Sequence, residues 1–266
     1  MTRLPPRLLG LALAGFAVAA TPALAETRTP IRTFDLPQLQ RMGVALYRQD
    51  LSAWRATDAV AAKIPDLAAA GLKGWLVEDD GKVAKVRFLR DLGRGLEVGY
   101  DVEVSAKGVG PVTEPRNRGL TGEERAMFAA RETAASFLSG ACRPGYNSAV
   151  IKDPDGDGWL VWMLAPSPGQ GVIPVGGHYR FTISADGSTV EERDALSASC
   201  LTIAQPKLPP GAKTEGMVVS HVVSPTPVET HVFLSLLYRQ PMYVTTGKGE
   251  LWVVGSGQIA PVQLKP

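Results

Sequence analysis

The spacing of the apolar residues changes twice along this chain, and each helical pattern opens with a capping sequence. Asp35-Leu-Pro-Gln38 precedes the first helical pattern, and Thr121-Gly-Glu-Glu124 precedes the second. In both, the first side chain can cap the helix while the residue three positions later returns a hydrogen bond. From Gly74, and again from Ser148, the apolar residues recur with period two, which is typical of half-buried strands. The order is therefore helix then strands, repeated once.

This order predicts an α+β fold of two helix-plus-antiparallel-meander units, mostly of antiparallel sheet. The first unit covers residues 26–110 and the second covers residues 119–266, and one continuous domain made of both is the alternative. The best boundary is the Gly/Pro-containing connection at residues 108–118. One segment is ambiguous, because Thr226 and Glu229 could flank a helix start. The apolar run from His231 to Leu237 favours a strand, which is our interpretation.

The first 25 residues are typical of a secretory signal peptide. Arg3 and Arg7 precede an apolar segment at 8–20, and Ala23-Leu-Ala25 is a small-x-small cleavage site. The apolar segment is shorter than the roughly 20 residues of a membrane-spanning helix, and no later segment is apolar for longer. The sequence therefore predicts a mature chain from Glu26 that is periplasmic or secreted and has no transmembrane segment.

Cleavage would leave equal numbers of basic and acidic residues. The chain has 28 Lys and Arg and 26 Asp and Glu, and residues 1–25 contain two Arg and no acidic residue, so 26 of each remain. Without a basic excess there is no electrostatic case for nucleic acid as a partner. We expect an envelope protein or peptide instead, and the sequence indicates no oligomeric state.

Two cysteines, Cys142 and Cys200, lie in the predicted mature chain. In an oxidising compartment they would most simply form one disulfide. Closing that loop would stabilise the fold by about 4 kcal/mol in the chain-entropy model. The alternative is a redox pair, but the two residues lack the C-x-x-C spacing of such pairs.

The sharpest local pattern is Asp153-Pro-Asp155-Gly-Asp157-Gly158. Carboxylates at alternate positions followed by Gly resemble the first half of a calcium-binding loop. The twelfth position is Leu164, however, where an EF-hand has a bidentate Glu, and predicted strands flank the loop. A plain β-turn explains the same residues, because Pro, Asp and Gly suit turn geometry. Calcium at Asp153, Asp155 and Asp157 is thus a hypothesis beside the turn.

The histidines suggest a second polar site. His221 shares a strand face with apolar residues, and a hairpin turn at 224–228 would place His231 opposite it, with Glu229 close by. Such a group could hold zinc, or act as a base with a carboxylate that orients it. A structural cross-strand pair is the alternative. We expect the remaining histidine, His178, to be exposed.

Motifs for nucleophiles, phosphate loops and dinucleotide binding are absent from the sequence, so it predicts no catalytic residue and no cofactor. Three functions remain. The first, which the missing motifs favour, is a non-catalytic binding or interaction module that uses a sheet face or an edge strand. The second is a metal-dependent hydrolase that uses His221, His231 and Glu229. The third is a calcium-stabilised structural protein of the envelope.

Overall fold

The computed structural model describes residues 30–209, 211–212, 214–247 and 249–263, so the predicted signal peptide lies outside the described residues. Within them the helices are α1 (Leu36–Lys63), α2 (Gly122–Ser136) and α3 (Glu229–Tyr238). The strands are β1 (Leu72–Asp79), β2 (Val83–Asp91), β3 (Leu96–Ser105), β4 (Gly108–Val109), β5 (Asn147–Lys152), β6 (Trp159–Leu164), β7 (Val172–Pro174), β8 (Tyr179–Ile183), β9 (Val190–Ala195), β10 (Thr202–Ala204), β11 (Met217–His221), β12 (Met242–Thr246), β13 (Leu251–Gly255) and β14 (Gln258–Pro261). None of the described helices is long and apolar enough to span a membrane.

The described strands form four sheets, which confirms the predicted α+β class. Three sheets are antiparallel, with the strand orders β1-β2-β3-β4, β5-β6-β8-β9 and β7-β10. The fourth has the order β11-β12-β13-β14, and its first two strands run parallel. Parallel neighbours need a crossover connection, usually a helix, and here α3 provides it.

Both predicted capping boxes are present. At the start of α1 the backbone N–H of Gln38 donates to the Asp35 carboxylate at 2.6 Å, and the Gln38 side chain accepts from the Asp35 N–H at 3.1 Å. Thr121 and Glu124 make the same two bonds at the start of α2, at 3.1 and 2.7 Å. The local sequence therefore determines where both long helices begin.

The strand predicted for His231–Leu237 is wrong, because this segment lies in helix α3. The backbone N–H of Val228 donates to Nδ1 of His231 at 3.0 Å, so a histidine makes the return bond of the first turn. Every residue of α3 from Glu229 to Ser235 is buried. A short helix that is buried on all sides has no apolar stripe, and periodicity alone does not distinguish it from a buried strand.

Three hydrophobic clusters form the core. The first joins the start of α1 and all of α3 to one face of the sheet β5-β6-β8-β9 and to the sheet β11-β12-β13-β14. In the second, α2 packs against the other face of β5-β6-β8-β9 and against β1, β2 and β3. The third lies between the end of α1 and the opposite face of β1–β3. Both predicted units contribute residues to the first two clusters.

Cys142 and Cys200 form the predicted disulfide, with their Cα atoms 5.7 Å apart. Gly177 lies directly against this bond, with a φ of +83°. A Cβ atom added to Gly177 would lie 2.2 Å from Sγ of Cys142. The disulfide can therefore keep its position only because residue 177 has no side chain.

We expect Gly177→Ala to lower the free energy of unfolding by about 3 kcal/mol, through backbone strain and overpacking against the disulfide. Gly81→Ala is the matched control, because Gly81 has a φ of +88° and nothing within 4 Å of an added Cβ. There we expect only the strain, about 1 kcal/mol. Urea denaturation of both oxidised variants measures the difference, and equal losses would contradict the role of the disulfide contact.

Candidate functional site

A group of charged side chains is buried where the N-terminal arm, residues 30–34, meets the sheet β5-β6-β8-β9. Arg180 of β8 is 1% exposed, and Glu229 at the start of α3 is fully buried. Arg180 donates to Oε1 of Glu229 at 2.9 Å and to Oδ2 of Asp194 at 2.6 Å. Trp162 also donates to Oε1 of Glu229, at 2.7 Å. We call Arg180, Asp194 and Glu229 the charge cluster.

The N-terminal arm covers the charge cluster. The backbone N–H of Arg32 donates to Oδ1 of Asp194 at 3.1 Å, and Arg180 donates to the carbonyl of Arg32. The Phe34 ring lies 4.6 Å from the guanidinium carbon of Arg32 and 4.7 Å from that of Arg180. Both contacts have the distance of cation–π interactions. The arm is therefore held by charged groups as well as by apolar burial.

The loop between β5 and β6, which contains Asp153, Asp155 and Asp157, faces the same arm. Arg32 donates to both carboxylate oxygens of Asp153, at 2.6 and 2.8 Å, and to Asp155 at 3.3 Å. Gln38 donates to the other oxygen of Asp155 at 2.8 Å, whereas Asp157 is exposed. Burial by itself raises the pKa of Asp153, but the Arg32 hydrogen bonds outweigh it and lower that pKa. A calcium ion would have to displace Arg32, and calcium at Asp153, Asp155 and Asp157 stays a prediction.

The expectation that His178 is exposed is wrong, because this residue is 2% exposed. Its Nδ1 accepts the backbone N–H of Ala165 at 3.0 Å, and its Nε2 lies 2.9 Å from the carbonyl of Pro174. A neutral ring that accepts at Nδ1 carries its proton at Nε2, so both ring nitrogens are satisfied. The polar residues at this end of the sheet face a buried network and not the solvent.

His221 and His231 are neighbours, although no hairpin joins them. Their rings meet edge to face with centroids 4.8 Å apart. His221 ends β11 and His231 lies in the first turn of α3, so the β11–α3 crossover brings them together. The close approach was expected from the sequence, but the hairpin route to it was wrong.

A serine that the sequence did not single out completes this group. Nε2 of His221 lies 2.7 Å from Oγ of Ser224, and that hydroxyl donates to the carbonyl of Thr226 at 2.6 Å. Because a hydroxyl has one hydrogen, His221 must be the donor to Ser224. A nucleophilic serine needs the reverse arrangement, with the histidine accepting its proton. In this arrangement the pair orders the loop after β11.

Burial lowers the pKa of His178 and of His221 to about 4 in each case. Burial, followed by the charges of His221 and His178, lowers the pKa of His231 well below its ordinary value. All three rings are therefore neutral at pH 7. Within the described part of the chain, no group of three or more His, Cys, Asp or Glu side chains could hold a metal ion. Hydrolysis through His221, His231 and Glu229 stays a prediction.

A groove of about 650 Å³ lies beside the charge cluster. Its walls are the arm at Pro30 and Ile31, the strand β9 from Glu192 onward, and the loop after β11 at Val222 and Val223. We call it the β9 groove. A chamber of about 40 Å³ adjoins it, shares three of its lining residues and is itself lined by the His221 and His231 side chains.

One wall of the β9 groove is the outer edge of a sheet. Among the described strands, β9 is the last of its sheet and pairs only with β8. The backbone N–H of Leu196 donates to the carbonyl of His178, on the β8 side, at 3.0 Å. The direction of these groups alternates along an antiparallel strand, so Arg193 and Ala195 direct their backbone N–H and C=O groups outward, toward the groove.

The network of charged side chains that includes Glu192 and Asp194 of the groove wall has a net negative charge. Two guanidinium groups, of Arg32 and Arg180, accompany five carboxylates, which leaves three negative charges when all are ionised. These carboxylates belong to Asp153, Asp155, Glu192, Asp194 and Glu229. The guanidinium of Arg193 is directed elsewhere, because it donates to the carbonyl of Ser139 at 2.5 Å and lies 4.5 Å from the Tyr179 ring centroid.

Comparison with known proteins finds no matching family model, no similar curated protein and no similar solved structure. The roles of these residues therefore follow from their geometry alone. Sequence reasoning selected Glu229 but missed its partners Arg180 and Asp194, and it missed Glu192. The available signals were the alternation of polar and apolar residues in β8 and the run of charged residues at 191–194 in β9, and both also describe a strand with a solvated face.

Proposed function

We propose that the mature chain is an exported, non-catalytic binding module, periplasmic or secreted, that holds an extended polypeptide segment in the β9 groove. The outward edge of β9, which forms one wall of this groove, is the observation that carries the proposal. A peptide that adds a strand to such an edge gains affinity from main-chain hydrogen bonds, and pockets for alternate side chains give specificity.

The size and composition of the groove support this function. Its volume of about 650 Å³ lies within the usual range for ligand sites, roughly 300–1,000 Å³. Ile31, Val222 and Val223 give it apolar walls, and Val222 is 58% exposed. The six residues of β9 extend about 20 Å at the usual rise of a strand, enough to pair with a short peptide segment.

Two further features support export. The signal-peptide pattern in residues 1–25 and the Cys142–Cys200 disulfide both fit an oxidising compartment.

The state of His221 argues against catalysis. This residue donates to Ser224 and is neutral at pH 7 with a low pKa, which makes it a weak general base. The geometry therefore favours binding over the hydrolase alternative.

We expect the purified mature protein to enrich peptides from a displayed library of random sequences. Ala195→Pro removes a backbone N–H that is directed into the groove, on an edge strand where Pro is tolerated. The substitution should lower the affinity for the enriched peptides about tenfold, because one main-chain hydrogen bond is lost. Fluorescence anisotropy with the labelled peptides measures the change, and circular dichroism checks that the variant is folded.

A matched pair of valine substitutions tests the location of the site. Val222→Gln should lower the affinity for the same peptides several-fold, whereas Val218→Gln should leave that affinity unchanged. Both valines are exposed, at 58% and 70%, but only Val222 lines the groove. The proposed function fails if the library enriches no peptide, or if a folded Ala195→Pro variant binds the enriched peptides as tightly as the unchanged protein.

A further inference from the structure

The groove contains a carboxylate, that of Glu192, which has no salt bridge of its own within the described chain. Arg32 is bound to Asp153 and Asp155, and Arg180 is bound to Asp194 and Glu229. Among the described side chains, none forms a salt bridge with Glu192. Burial and the charge of Asp194 raise the pKa of Glu192, and they outweigh the longer-range attraction of Arg180 and Arg32, which lowers it.

The position of Glu192 on β9 gives this carboxylate access to a ligand. Thr182 of β8 is its cross-strand neighbour on the inner side, and the outer side faces the groove. A strand added to the outer edge would bring one side chain directly opposite Glu192, with Cβ atoms about 5 Å apart. Opposite charges in such cross-strand pairs are stabilising, and like charges are destabilising.

We infer that the polypeptide segment held in the β9 groove is cationic, with a Lys or Arg side chain that pairs with Glu192. This inference rests on the binding function proposed above. The net negative charge of the network that includes Glu192 and Asp194 favours the approach of such a segment and disfavours an acidic one. Small apolar side chains on the same segment would contact the walls formed by Ile31, Val222 and Val223.

The test uses three synthetic octapeptides in which valine alternates with a second residue. That residue is Lys in the Lys peptide, Gln in the Gln peptide and Glu in the Glu peptide. Their backbones and apolar faces are the same, so their affinities report the charge preference. We expect the Lys peptide to bind about tenfold more tightly than the Gln peptide, and the Glu peptide to bind most weakly. The preference should shrink between about 20 and 150 mM NaCl, because salt screens these charges.

Glu192→Gln identifies the residue responsible. This substitution should lower the affinity for the Lys peptide about fivefold and leave the affinity for the Gln peptide unchanged. Glu191→Gln is the matched control, since Glu191 is an exposed neighbour of Glu192 that does not line the groove. Its effect on the Lys peptide should stay below about twofold.

The outcomes separate this inference from the function on which it rests. If the three peptides bind equally and Ala195→Pro weakens all of them, the charge preference is refuted and strand addition stands. If none of them binds and the random library also enriches nothing, both proposals are refuted. Displacement of the Lys peptide by an equal concentration of spermidine, with no effect of Ala195→Pro, would refute both as well, because the groove would then bind any soluble cation.

Discussion

Replacing Arg180 with alanine is expected to lower the free energy of unfolding by about 4 kcal/mol, as is typical when one partner of a buried ion pair is removed. Arg180 is 1% exposed and is the guanidinium bonded to both Asp194 and Glu229. The substitution leaves two carboxylates buried, and Oε2 of Glu229 already has no hydrogen-bond partner. Urea denaturation followed by circular dichroism measures the loss.

Two further variants make the expectation decisive even if Arg180→Ala fails to fold. Arg90→Ala removes a more exposed pair, with Glu97, and should cost less than about 1 kcal/mol. The triple variant Arg180→Met, Asp194→Asn, Glu229→Gln removes every charge of the cluster and should recover most of the loss, because uncompensated buried charge is what destabilises the protein. Equal losses in Arg180→Ala and Arg90→Ala would show that the charge cluster has no special role.

Features that depend on a few neighbouring residues were predictable from the sequence. The capping boxes at Asp35 and Thr121 begin α1 and α2, and their bonds join residues three positions apart. The first hairpin also follows from local signals, since an Asp-Gly turn at Gly81 separates two alternating segments that pair as β1 and β2. The disulfide followed from cysteine number and compartment, because two cysteines allow only one pairing.

Helix α3 was not predictable, because tertiary packing and not local pattern makes it a helix. Its surroundings bury every residue of its first two turns, so no polar face marks the helical period. The parallel pairing of β11 with β12 requires a crossover at this point, but that pairing is itself a long-range property. The neighbourhood of His221 and His231 was therefore expected for a reason that the structure does not support.

The charge cluster and the neighbouring Arg32–Asp153 ion pair were hidden by the distance along the chain between the residues that they join. Arg32 and Asp153 are 121 positions apart, and Arg180 and Glu229 are 49 apart. An alternation of charged and apolar residues in a strand has the same appearance whether the charged face meets water or meets buried partners. That ambiguity explains why His178 was expected to be exposed. It also explains why the sequence did not identify Glu192 as a candidate site residue, since the edge of β9 and its groove are visible only in the structure.

Acidification from about pH 7 to about pH 4 is expected to remove a large part of the stability of the fold. The pKa of His178 and of His221 is about 4 in the folded chain, against 6.5 for an ordinary histidine. The unfolded chain therefore takes up protons that the folded chain does not, so stability is complete above about pH 6.5 and falls toward pH 4. Each histidine accounts for about 3 kcal/mol over this window.

Urea denaturation at several pH values, together with the variant His221→Gln, tests this expectation. Glutamine does not titrate and keeps an N–H donor for Ser224, so the variant should lose about 3 kcal/mol less than the unchanged protein across the window. Carboxylates do not produce the same profile. Those with lowered pKa values, such as Asp153 and Asp186, lose their contribution only below about pH 4. A profile that stays flat until about pH 4 and then falls would therefore assign acid sensitivity to the carboxylates, and would contradict burial of His178 and His221 as neutral rings.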